Sequence, residues 1–167
     1  SMTLTDLIVA GQRGFAHLDE VARAMDADAG TNAGTIMQAL KTHDGHVTTA
    51  MVVLQNAADQ IADYDRLARR PASRFLHPLF VDAFWTRARN PYRKPGTDRG
   101  FFLELLSESQ RALKRLNDNG IRILAGTDAM NPMIIPGSSL HDELQLMHDA
   151  GLTAAEASER RFHFGTN

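Results

Sequence analysis

At 167 residues the chain has the size of one compact domain, able to bury roughly 70% of its unfolded surface. Its composition, 43% hydrophobic and 23% charged, is ordinary for a globular fold, and a formal net charge of −2 leaves no basic footprint for nucleic acid. Without cysteine it has no disulfide or thiolate metal site, and no apolar run approaches the ~20 residues of a membrane span. No leader segment is visible, which says little where the natural N-terminus is missing; the location is open, with cytoplasmic as the default, and Ser1-Met2 reads as an expression scar.

Thr5 can cap a short helix over Asp6–Ala10 that Gly11 stops. Gly14–Leu18 is a candidate strand that brings His17 to its end, followed by a helical turn over Glu20–Met25. Ala27–Gly34 reads as an Asp/Gly/Asn loop, and Thr35–Thr42 as a buried helix. Val47–Leu54 is rich in Thr and Val, the composition of a strand. Ile61, Tyr64, Leu67 and Ala68 recur at helical spacing within Ala57–Arg70. Pro71–Gly100 is irregular and rich in Arg, Pro and aromatics. A long helix is expected over Phe101–Asn119, with Leu105, Leu106, Leu113 and Leu116 on its core side. A strand over 121–127, a Pro/Gly loop over 129–137 and a helix over 138–150 close the pattern, with Ser138 or Ser139 as N-cap and Gly151 as the stop. Strands alternating with helices point to a parallel sheet.

Gly120–Leu152 is the most informative stretch. Ile121, Ile123 and Leu124 build a short apolar strand that ends at Gly126-Thr127-Asp128. An acid at the carboxyl end of a parallel strand lies where barrels and doubly wound folds keep their chemistry. The alternative is a turn-forming Asp bonded to its own backbone. His17, after Phe15 and Ala16, stands at an equivalent strand end, either as a metal ligand or bonded to backbone. His43 and His46 flank an Asp-Gly turn, a weak H-x-x-H signal. The arginines and aromatics of 66–94 suit a lid, a carboxylate-binding wall or a solvated loop.

The AGTDA run at 125–129, the Pro/Gly loop and SLHDELQLMHDAGLTAAEA at 139–157 resemble the last strand and helix of the amidohydrolase superfamily barrel, in the branch of imidazolonepropionases and Xaa-Pro dipeptidase-like enzymes. LIVAGQRGFAHLDE at Leu7–Glu20 resembles that family's sixth strand, and HVTTAMVVL at His46–Leu54 its seventh. The resemblance implies an α/β fold: a partial (β/α)8 barrel of strands 6 to 8 with their helices over 1–157, lacking the N-terminal half and the β-sandwich, and a divergent tail over 158–167 from a frameshift or truncation. Three barrel strands alone expose edges and an apolar face. The chain would therefore form a homo-oligomer, pair with a missing N-terminal half, or rearrange its packing to cover the sheet.

The resemblance also implies a metal-dependent hydrolase of amide, dipeptide or ester bonds; charge and hydropathy point away from nucleic acid and membrane as partners. Its metal ligands would be His17 and Asp128 around a divalent ion, zinc above all, with Asp128 also the catalytic base. Such an ion brings the pKa of bound water from about 15.7 toward 7. Thr127 would steady the Asp128 carboxylate, and His141 and Glu143 would support the site from the following helix. The family's H-x-H pair and bridging residue are absent from the chain. Catalytic zinc takes three protein ligands, so two predict an incomplete site in a single chain. The alternative function is a non-catalytic fragment that acts only through self-association or partner binding.

Overall fold

A computed structural model describes residues 2–27, 32–86, 88–129, 131–153 and 156. The tail expected over 158–167 and the middle of the 27–34 loop lie outside these residues. The elements run α1 (Leu4–Val9), β1 (Gly14–Phe15), α2 (Leu18–Asp26), α3 (Asn32–Thr42), β2 (His46–Thr48), α4 (Met51–Ala68), α5 (Arg99–Asp118), β3 (Arg122–Leu124) and α6 (Ser138–Asp149). Between α4 and α5 the chain makes short 3-10 turns at Pro71–Phe75 and Pro91–Arg93 and a π-turn at Phe80–Phe84.

The strands are parallel and stand in chain order, with Phe15, Val47 and Ile123 in one register row and Gly14, His46 and Arg122 in the next. Phe15, Val47 and Ile123 are buried with Leu18, Val21, Met25, Leu40, Leu113 and Leu116 of the helices. Parallel sheets need such helical cover. On the other face His46, Thr48 and Leu124 are half-buried and Arg122 is exposed. The His46 imidazole lies over Gly14, where a Cβ would stand 2.8 Å from its Nε2, so this histidine closes a strand pair. α5 packs against α4 and α2, α3 against α1 and α2, and α6 against α4 and α5.

The partial (β/α)8 barrel is therefore corrected to a helix-dominated small fold with one three-stranded parallel sheet. Strands of two or three residues rise about 10 Å at most, too short for the tilted wall of a barrel. Most apolar residues of the core come from helices and serve helix–helix contacts instead. The strand expected over 47–54 ends at Thr48, and Met51–Leu54 already belong to α4. Neither Ser138 nor Ser139 caps α6: the cap position is Gly137, and the buried Ser139 hydroxyl accepts from the Ile135 N–H at 2.9 Å.

Candidate active site at the carboxyl ends of the strands

Each strand is followed by a non-glycine residue in the left-handed region: His17 (φ 63°) after β1, Ala50 (φ 63°) after β2 and Asp128 (φ 50°) after β3. Side chains with a Cβ lose roughly 1–2 kcal/mol there, and such strain gathers at functional sites. Thr49, almost fully buried, stitches the three ends together. Its carbonyl accepts from the Leu18 N–H at 3.1 Å, and its N–H donates to the Leu124 carbonyl at 3.0 Å. Its hydroxyl accepts from the Gly126 N–H at 3.5 Å. Gly126 has no room for a side chain, because a Cβ would collide with the Thr48 methyl.

Strands β1 and β3 thus bring together the two residues singled out by position. His17 Nε2 stands 3.7 Å from Asp128 Oδ2, with the side chains 46% and 41% exposed. That gap is too long for a direct hydrogen bond. It suits a third atom touched by both, since a water oxygen about 2.8 Å from each can sit beside the pair. Exposed pairs of this kind contribute about 0–1 kcal/mol to stability, so the fold does not need this one.

Asn131 Nδ2, rather than the Thr127 hydroxyl, donates to Asp128 Oδ2. Thr127 is half-buried beside it. Tyr92 is near enough to feel Asp128: burial first, and the carboxylate second, push its phenol above its ordinary range.

His141 and Glu143 part company. His141 is exposed on α6, whereas Glu143 is fully buried beneath the site. Glu143 Oε2 accepts from the Val52 N–H at 2.6 Å. It serves as the cap of α4, whose N-cap residue, Ala50, has no side-chain group to offer. Burial raises its pKa to about 7, partly offset by the Thr49 hydroxyl and the Val52 and Met51 N–H groups. Its Oε1 makes no hydrogen bond of normal length. Glu143 is thus linked through Thr49 to the strand ends without reaching the Asp128 carboxylate.

The loop after β3 is pinned from α4. Asn56 donates to the Met133 carbonyl at 3.1 Å, Gln60 donates to Asn56 Oδ1 and to the Pro132 carbonyl, and Asn90 donates to Gln60 Oε1 at 2.6 Å. Tyr92, Asn131 and Thr49 were not marked by the sequence. Tyr92 lies in the irregular stretch, and single polar residues carry no spacing signal.

Two donors of one tetrahedral zinc would stand about 3.4 Å apart, so the 3.7 Å separation suits His17 and Asp128 as a ligand pair. Among the described residues, no third His, Asp or Glu joins them, and the set falls short of a catalytic metal centre. No family model matches the chain, and no curated protein or solved structure matches it.

Proposed function

We propose that the carboxyl edge of the sheet is a hydrolytic site for amide or ester bonds, the chemistry that the strand-end motif resembles. The observation that carries this reading is the approach of His17 Nε2 to within 3.7 Å of Asp128 Oδ2, close enough for one water beside the pair to touch both. A water there donates one hydrogen to the imidazole and the other to the carboxylate. As its oxygen attacks the carbonyl carbon, Nε2 takes the first proton, and Asp128 stabilises the imidazolium that forms. The imidazolium then protonates the leaving amine or alkoxide as the carbonyl reforms. A donor for the negative charge that develops on the carbonyl oxygen would be the Tyr92 phenol, which senses the Asp128 carboxylate.

The test is hydrolysis of p-nitrophenyl acetate and of a p-nitroanilide by the chain and two variants. Asp128→Asn keeps a residue that tolerates the left-handed backbone, and it is expected to lower kcat/KM by about 10²-fold. Tyr92→Phe is expected to lower kcat with little change in KM, because it removes a donor used only in the transition state. Rates unchanged in both variants would end this reading.

One observation favours the non-catalytic alternative. Phe75, Leu79, Phe84 and Phe101, each more than half exposed, lie in or beside one irregular stretch, as association surfaces do.

A further inference from the structure

The arginine-rich stretch contributes to a second place on the molecule. A groove of about 560 Å³ runs between α4 and α6, within the range of small-ligand sites. None of its lining residues belongs to the strand-end pair. Its apolar wall includes Leu67 and Leu146, and four charged residues border it: Asp59, Arg66, Arg70 and Asp142. These form two loose pairs, Arg66–Asp59 and Arg70–Asp142, each with 3.8 Å between nitrogen and oxygen. Neither is a hydrogen bond at that distance.

Arg70 is the under-satisfied member. Its side chain is only 20% exposed. One terminal nitrogen donates to the Met133 carbonyl. Its Nε is buried with no hydrogen-bond partner. Burial lowers its pKa despite the carboxylates of Asp142 and Asp59. The groove therefore holds two cations and two anions, none firmly paired across it, beside an apolar wall.

We propose that this groove binds a small zwitterion with an apolar body, a molecule of free amino-acid chemistry. Its carboxylate meets the in-plane N–H edges of the guanidinium groups, and its ammonium meets Asp142 and Asp59. The apolar body lies on Leu67 and Leu146. A simple anion would set unpaired charge against the aspartates, and a simple cation against the arginines. A zwitterion adds no net charge and completes both pairs.

The test is calorimetric titration with L-leucine, N-acetyl-L-leucine and L-leucinamide. The second lacks the ammonium and the third lacks the carboxylate. L-leucine is expected to bind saturably, and each blocked analogue about tenfold more weakly, the loss of one charge-assisted contact. Arg70→Gln should abolish leucine binding. Because Arg70 also holds the Met133 carbonyl, Asp142→Asn is the second variant: its side chain is more than half exposed. It should weaken L-leucine while leaving N-acetyl-L-leucine unchanged, so that their difference narrows. Equal affinity for all three compounds, no saturable binding, or an Asp142→Asn chain that binds leucine as the parent does would overturn the proposal. Because the groove and the strand-end pair share no residue, failure here leaves the hydrolytic reading standing.

Discussion

Glu143 has no exposed surface and caps a helix 91 residues away in the chain. Its pKa of about 7 in the fold lies above the ordinary 4.5, so the folded state keeps a proton that the unfolded chain releases. The stability it supports is full below pH 4.5, falls as pH rises, and levels off beyond about 7. At about 1.4 kcal/mol per pKa unit, the loss is about 3 kcal/mol. Glu143→Gln stays neutral and should flatten that fall, as read from urea midpoints at about pH 5 and about pH 8. Gly126 gives a second prediction at this scale. Gly126→Ala drives a methyl into Thr48, and overpacking of this kind costs about 1–3 kcal/mol in denaturant unfolding. His17 and Asp128 were legible because strand ends can be read from apolar runs and their stops. Thr49 and Tyr92 were not, because their roles depend on neighbours far away in sequence.

Among the elements, α4 shows where local reading stops. Val52 and Val53 are β-branched and follow Thr48 and Thr49, so the segment reads as strand. The chain makes it helix, because a carboxylate from α6 satisfies the Val52 N–H at the helix start. No feature of residues 46–54 announces that cap. Farther along, α4 leaves helical geometry at Asp63 (φ −153°, ψ 84°), whose carboxylate accepts from the Arg66 N–H at 3.0 Å. Asp63 is in effect the N-cap of a second short helix, and Asp63→Ala should cost about 1 kcal/mol by urea unfolding. By contrast α5 was legible almost to the residue, because twenty residues give the apolar stripe of Leu105, Leu106, Leu113 and Leu116 enough turns to show its period.

In the molecule as a whole, the strand order and parallel pairing followed the alternation of strands and helices, but the barrel did not. The three strands are so short that helix packing, not sheet curvature, sets the shape. Charge is also unevenly spread. Arg66–Lys94 holds eight of the eighteen Lys and Arg and one of the twenty acids, a local balance of +7 in a chain of −2. The exposed Phe75, Leu79 and Phe84 fall in the same stretch. The apolar residues predict self-association that grows with protein concentration and with salt, which screens the repulsion between basic stretches, seen by sedimentation velocity. Phe75→Ser with Phe84→Ser should shift the chain toward monomer, and a parent chain that stays monomeric at every concentration would contradict it.

The central claim, that His17 and Asp128 form one hydrolytic site, is tested most directly by the rate of p-nitrophenyl acetate hydrolysis in His17→Ala against the parent chain. His17 supplies no side-chain cap to α2 and is nearly half exposed, so the variant should fold as the parent does. The account predicts a parent rate clearly above the buffer blank and a fall of about 10²-fold or more in the variant, the usual contribution of a positioned base. Equal rates for the two proteins, or a parent rate no higher than the blank, would contradict it.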